Sequence, residues 1–333
     1  MKLLVLGGTE FVGRAVVEEA LSRGAEVTVF HRGRHKAPPG VTALLGDRTA
    51  PGGLTGLSEG TWDLVIDTWS AAPSAVGATA RLLKGRIGRY AYVSSRSVYP
   101  QPVPSTLDET GPVIEASPEA EDVGYPEAKR GGELAVVETF GEDSLLLRCG
   151  LVLGPGENVG RLPWWLRRIA RAGRVPAPGP RDLGVQYIDA RDLAGWTLDA
   201  AEAGLTGPYN ISSPVGHCTM GDILDACVEV TGSDADLCWV GPDTIAAAGI
   251  QPWTDLPLWL PPGELHETMH RGNVAKAVSA GLRCRPVRDT VADTWAWLQR
   301  LGGPAPQRAD RPRLGLDPAM ERALLSRAAL TSQ

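Results

Sequence analysis

The chain has 333 residues, 43% of them hydrophobic and 22% charged, with a formal net charge of −6. These proportions are those of an ordinary folded, soluble protein and exclude a disordered or fibrous one. The acidity offers no attraction to a phosphate backbone or an anionic membrane, so neither nucleic acid nor membrane is expected as a partner.

Five cysteines, odd in number and without CxxC spacing, argue against a disulfide framework or a cysteine-rich zinc site. The apolar start Met1–Leu6 is cut short by Gly7-Gly8 and Glu10, so no secretion signal is read and a cytoplasmic location is expected. Apolar runs bounded by turn residues predict strands at Lys2–Leu6, Glu26–His31, Val41–Leu45, Leu64–Asp67, Arg89–Ser94 and Ser144–Cys149. Helical periodicity over Phe11–Arg23 and Ala71–Leu83 separates several of them. Such alternation predicts an α/β Rossmann fold with a doubly wound parallel sheet.

Beyond Gly154-Pro155-Gly156 the pattern turns to helices joined by Pro- and Trp-containing connections, which predicts a smaller, mostly helical C-terminal substrate domain. The segment Gln186–Ile211 reads as strand, helix and strand, and returns the chain to the main sheet. The expected division is therefore residues 1–158 with 186–232 for the dinucleotide-binding domain, and 159–185 with 233–333 for the substrate-binding domain and tail. A Gly/Pro/Arg-rich link over 302–312 precedes a last helical stretch, Asp317–Arg327.

Gly7-Gly8-Thr9-Glu10-Phe11-Val12-Gly13 follows the first strand and opens the first helix, where backbone N–H groups and the helix dipole face a pyrophosphate. Gly7 and Gly8 permit the tight turn, Gly13 permits close packing of helix on strand, and Phe11 and Val12 offer their amides; Thr9 completes the loop. The second strand ends Phe30-His31-Arg32-Gly33-Arg34, without the acid that would accept the ribose hydroxyls of NAD. Arg32 is placed to pair with a 2′-phosphate, so NADP(H) is favoured over NAD(H). Asp47 and Arg48 after the third strand are read as contacts at the adenine end, and Thr68 after the fourth as a further cofactor contact.

Tyr125-Pro126-Glu127-Ala128-Lys129 sets a phenol and an ammonium four residues apart, on one face of a helix. Pro126 suits a first turn and suggests Tyr125 as its N-cap. A nearby cation and the helix dipole both favour the phenolate, which makes Tyr125 a general acid or base. Ser95 closes the fifth strand, where such folds hold their ligands, and can hydrogen-bond a substrate oxygen; it can equally satisfy its own loop.

Three other features have competing readings. His266-Glu267-Thr268-Met269-His270 matches the H-E-x-x-H pattern of zinc peptidases. It has no third histidine after it and no long apolar helix around it, so no metal site is expected. Arg161, Arg167, Arg168, Arg171 and Arg174, with Trp164 and Trp165, lie at helical spacing, either as a solvated face or as a clamp for a phosphate-bearing substrate. Trp239, Trp253 and Trp259 suit either an apolar pocket or the core.

Taken together, Gly7–Gly13, Tyr92–Tyr99, Tyr125–Lys129, Leu147–Gly156, Gln186–Asp192 and Gly207–Asn210 resemble the extended short-chain dehydrogenase/reductase superfamily, with its epimerase/dehydratase members. Leu256–Pro262 and Ala280–Leu298 look like the reductase-like actinobacterial branch. The resemblance implies Ser95 as the catalytic serine, Tyr125 as the acid/base tyrosine and Lys129 as the lysine that binds the nicotinamide ribose and tunes the tyrosine. The chain departs from the family at Glu10, where a glycine is usual, at Cys149, where a proline is common, and at Asp67-Thr68-Trp69-Ser70, where sugar epimerases have a His-x-Ala-type sequence. The function it implies is an oxidoreductase passing hydride between nicotinamide and a small-molecule carbonyl or alcohol. The alternatives are a nucleotide-sugar epimerase/dehydratase with tightly held NAD and, less favoured, a non-catalytic cofactor- or RNA-binding protein.

Overall fold

The computed structural model describes residues 1–309 and 311–331; residues 310, 332 and 333, part of the expected tail, lie outside that description. By its internal packing the chain divides into two compact units. The first holds Met1–Gly150, Ala190–Ser212 and Asn273–Arg283, and the second Leu151–Asp189, Ser213–Gly272 and Cys284–Gln333.

The first unit is built on β1 (Lys2–Leu6), α1 (Phe11–Ser22), β2 (Glu26–His31), β3 (Thr42–Leu45), β4 (Trp62–Asp67), α2 (Pro73–Leu83), β5 (Ile87–Ser95), α3 (Tyr125–Phe140) and β6 (Ser144–Cys149). With the strand Gly207–Ile211 they form one seven-stranded sheet, in the order Gly207–Ile211, β6, β5, β4, β1, β2, β3. Every neighbouring pair is parallel. A parallel sheet buries both faces, so its inner strands are continuous apolar runs rather than alternating ones. In β1 the residues Leu3, Leu4, Val5 and Leu6 are all buried. Strand order reverses at β1, with β2 and β3 on one side and β4 to β6 on the other. In open α/β sheets the crevice beyond the carboxyl ends of the strands at such a point receives the ligand.

The second unit has two short parallel pairs, Leu151–Leu153 with Tyr187–Asp189 and Arg174–Pro178 with Asp236–Val240. Helices Arg161–Ile169, Met220–Thr231 and Val287–Leu301 pack around one apolar cluster that includes Trp165, Leu166, Ile223, Leu224, Val291 and Trp259. Met220–Thr231 begins at a capping box, in which Thr219 Oγ1 accepts from the Asp222 N–H and the Asp222 carboxylate accepts from the Thr219 N–H. Left-handed Gly232 ends it, at φ 64°.

These units differ from the expected division in four segments, the first being 151–158, which lies in the second unit. Tyr187–Asp189 pairs with Leu151–Leu153 rather than with the main sheet, Met220–Thr231 lies in the second unit, and residues 273–283 lie in the first. There the Trp196 indole donates to Ala280 O, and Lys276 Nζ donates to Pro208 O.

Candidate functional site

The loop after β1 is shaped by its glycines. Gly7 and Gly8 take φ of 117° and 80°, values that side chains other than hydrogen resist. A Cβ on Gly7 would stand 2.3 Å from Thr68 Oγ1, and one on Gly13 would stand 2.5 Å from the backbone nitrogen of Gly8. The loop therefore folds directly onto the start of α1 and onto the end of β4, where Thr68 Oγ1 donates to Leu6 O at 3.0 Å. At Glu10, the N-cap of α1, no side chain caps the first-turn N–H groups, and Phe11 holds a positive φ of 34°. Backbone donors and the positive end of a 12-residue helix thus converge where a pyrophosphate would sit. Gly13→Ala is expected to weaken dinucleotide binding at least tenfold by forcing this loop apart, as titration calorimetry would read; wild-type affinity would mean that the cradle does not hold the dinucleotide.

Ser95 and the Tyr125–Lys129 helix meet the same edge of the sheet. Ser95 ends β5, and its Oγ accepts from the Ser97 N–H at 3.2 Å and from the Ser97 hydroxyl at 2.9 Å, so it also serves its own turn. Tyr125 is the first helical residue of α3, not its N-cap, which is Gly124; Pro126 fills the next first-turn position. The Tyr125 side chain is 39% exposed, whereas Lys129, one turn on, is 2% exposed. Lys129 Nζ donates to Val93 O and Trp69 O, each at 2.6 Å, and lies 4.9 Å from the centre of the Tyr92 ring. Val93 is two residues before Ser95 on β5, so Lys129 joins the tyrosine's helix to the serine's strand.

Two buried ion pairs hold this edge, and neither was read from the sequence. Asp67, at the end of β4, accepts both arms of the Arg48 fork at 2.7 and 2.8 Å and the Tyr90 hydroxyl at 2.6 Å. Burial alone would raise the Asp67 carboxyl; the Arg48 charge and fork, the Tyr90 hydroxyl and the Trp69 N–H outweigh it and hold it below its ordinary value. Arg48, expected at the adenine end, is thus corrected to a core residue: Nε donates to Thr79, the fork goes to Asp67, and a further bond reaches Ala75 O. Asp47 stays at the turn, where the Thr49 N–H and hydroxyl hold its carboxyl below the usual range and Arg32 and Arg34 add to the effect.

The second pair joins α3 to β5 and β6. The fully buried Glu133, one turn beyond Lys129, accepts from Ser94 Oγ at 2.7 Å, from Arg148 Nε at 2.9 Å and Nη2 at 3.0 Å, and from Arg130 Nη1 at 3.0 Å. Arg148 also donates to the Tyr99 hydroxyl, which donates to Asn210 Oδ1. An arginine in the otherwise apolar Leu145-Leu146-Leu147-Arg148-Cys149 is the signal that could have found it, since a buried cation needs a buried acid. Glu133→Ala would leave two arginines without it, and a loss of about 3–5 kcal/mol in urea unfolding is expected. Burial, against the opposing Lys129 charge, pushes the thiol of the adjacent Cys149 up to about 12.

The histidines of the H-E-x-x-H match serve the second unit's backbone. His266 Nε2 lies 2.8 Å from Gly184 O; His270 Nδ1 accepts from the Gln186 N–H at 3.1 Å, and its Nε2 lies 3.2 Å from Leu258 O. Among the described residues no cluster of three metal-ligating side chains occurs. Trp259 is core, with its indole N–H on Gly179 O, while Trp239 and Trp253 are partly buried against the same cluster. No described helix is long and apolar enough to cross a membrane.

The profile of the NAD dependent epimerase/dehydratase family matches residues 3–212, more than half of the chain. The chain belongs to this family. No curated protein sequence matches it. Among solved structures it is similar to WbmF of Bordetella bronchiseptica in complex with NAD+, at 18% identity over 99% of this chain and 97% of that one, with a TM-score of 0.63. The UDP-N-acetylglucosamine 4-epimerase of Bacillus cereus follows at 15% identity, 90% and 99% coverage and a TM-score of 0.65. The UDP-glucose 4-epimerase of Thermus thermophilus, in complex with NAD, is 22% identical over 89% and 99%, with a TM-score of 0.60. At these identities the likeness is one of fold.

The preference for NADP(H) read from Arg32 is overturned by two of these neighbours in the family fold, the Bordetella and Thermus proteins, which are complexes with NAD. The structure supplies a physical reason. Arg32 is exposed, and its charge acts on the Asp47 carboxylate, so a 2′-phosphate there would meet an acid as well as a base.

Proposed function

We propose that this member of the epimerase/dehydratase family is an NAD-dependent enzyme acting at a carbinol or carbonyl carbon of a small molecule, with Tyr125 as its acid/base, Ser95 and Lys129 beside it. The observation that carries the reading is the bond from Lys129 to the backbone of β5 two residues before Ser95, which ties the Tyr125 helix to the serine at the ligand end of the sheet.

Gly7, Gly8, Thr9, Phe11, Val12 and Gly13 would hold the pyrophosphate on backbone N–H groups, with Thr68 under the loop and Asp47 toward the adenosine. NAD, when bound, takes up or returns hydride at its nicotinamide. Ser95 Oγ exchanges its bond to Ser97 for one to the substrate oxygen and fixes that oxygen's position. Tyr125 removes the hydroxyl proton as the carbonyl forms, or delivers it in the reverse direction. The Lys129 ammonium favours the phenolate and offers a donor to the nicotinamide ribose.

The leading outcome is net oxidation or reduction, with product leaving after one hydride transfer. A second outcome, return of the hydride to the same nucleotide-linked sugar, is consistent with the family match and with the epimerase neighbours. Denaturing the purified protein, measuring released NAD, and then assaying small carbonyls and nucleotide sugars separates them. Stoichiometric consumption of NADH supports the first, and epimer formation without net consumption the second. A protein that binds no NAD and turns over neither class would sink both.

A further inference from the structure

The second unit contains a cavity of about 710 Å³ that none of the nucleotide-loop, Ser95 or Tyr125–Lys129 residues lines. Its size falls in the range of small-molecule sites, about 300–1,000 Å³. One wall is the outer face of helix Arg161–Ile169 and its continuation, with Trp164, Arg167 and Arg171; opposite stand Trp295 and the segment carrying Arg313.

The structure separates the arginines of this helix into committed and uncommitted ones. Arg168 is neutralised by Glu321 and bonds Ala172 O and Arg174 O; Arg161 lies near Glu157 and over the Trp253 ring. Arg171 and Arg313 are exposed, and neither side chain makes a hydrogen bond or ion pair among the described residues. Arg167 is fixed by one bond to Gly303 O, while its buried Nε has no partner. Among the described lining residues the one acid, Asp317, already accepts from the Ala319 N–H.

The aromatic wall is built rather than incidental. Trp164 and Trp295 are partly buried against the apolar cluster. The chain crossing Trp164 does so at Gly315, where φ is 99° and a Cβ would stand 1.8 Å from the indole nitrogen, and the Gly315 N–H is anchored on Thr254 O at 2.8 Å. Two indoles with an excess of uncommitted guanidinium groups select for a flat unsaturated ring that carries an acid, since the fork suits carboxylate or phosphate oxygens and the ring replaces water on the indoles.

We propose that this cavity is a binding site for a small aromatic organic anion, its ring against Trp164 and Trp295 and its acid on Arg171 and Arg313. Every lining residue belongs to the second unit. The site is tested on the full-length protein saturated with NAD, so that the dinucleotide site is blocked, by titration calorimetry with 2-naphthoate, adenosine 5′-monophosphate and inorganic phosphate.

One-to-one submillimolar binding of an aromatic anion is expected, weakened at least tenfold in Arg171→Ala/Arg313→Ala and less in the Arg→Lys pair. Binding of the naphthoate alone marks a carboxylate site, and comparable binding of the monophosphate marks a phosphate site. Inorganic phosphate binding as tightly as either would overturn the role of the indoles; so would absence of binding, or affinity unchanged in the double variant, for the site itself. Both arginines are exposed and make no side-chain bond among the described residues, so the variant should fold; single Arg313→Glu gives an independent reading.

Discussion

Tyr125→Phe is expected to lower turnover by about 10²–10⁴-fold, the usual contribution of one positioned acid or base, while leaving the affinity for NAD within about twofold and the stability within about 0.5 kcal/mol. The three expectations have separate physical origins. In the proposed mechanism the hydroxyl is the group that moves the proton, so its removal deletes chemistry. The proposed dinucleotide cradle is the α1 N-terminus and the glycines of its loop, which Tyr125 does not build. The ring is 39% exposed and phenylalanine keeps its shape, so packing is preserved.

Lys129→Met is the informative companion. Lys129 is buried, and its ammonium satisfies two backbone carbonyls, Trp69 O and Val93 O, so this variant should lose stability as well as turnover, by about 1–3 kcal/mol for each orphaned carbonyl. Single-turnover measurements with NAD already bound, alongside urea unfolding, separate the two variants. Wild-type turnover in Tyr125→Phe would remove the proposed mechanism; an equal loss of stability in both would make Tyr125 a structural residue.

What the sequence made legible was local. A strand, a glycine turn and a helix follow one another within Lys2–Ser22, and their roles are set by neighbours a few residues away, so the loop at Gly7–Gly13 was readable. The same holds for Tyr125 and Lys129, whose relation is a single helical turn. Partnerships that depend on strand order were not readable. Arg48 faces Asp67 because the sheet brings the ends of distant segments together, and nothing near Arg48 announces the acid. Arg32 looked like a phosphate ligand because Asp47, though read at the adenine end, follows a different strand and gave no sign that the Arg32 charge acts on it. The strand Arg174–Pro178 was concealed by Pro176 and Pro178, residues that ordinarily mark a strand edge or its absence. His266 and His270 copied a metal motif at helical spacing, yet each ring's bonds go to backbone groups that only the folded chain supplies.

The Arg48–Asp67 pair predicts a stability effect as large as that of the Glu133 cluster, with a pH signature of its own. Asp67→Asn keeps the shape of the side chain but leaves the Arg48 guanidinium, buried with its fork aimed at that position, without a counter-charge, and a loss of about 3–5 kcal/mol is expected. The Asp67 carboxyl is held below its unfolded value of about 3.9. Its contribution is therefore fully present above that pH and is lost as pH falls through the lower, folded value, because the unfolded chain binds the proton first. Urea unfolding of the wild type from pH 7 downward should show this acid limb, and Asp67→Asn should lack the part owed to this group. Replacing both partners, as Arg48→Met with Asp67→Leu, removes the buried charge altogether and should recover most of the loss, since an apolar pair of similar volume is often as stable as a buried ion pair. If the double variant were no more stable than Asp67→Asn, the bonds from Arg48 to Thr79 and Ala75 O, and from Tyr90 to Asp67, would carry the stability in place of the charge pair.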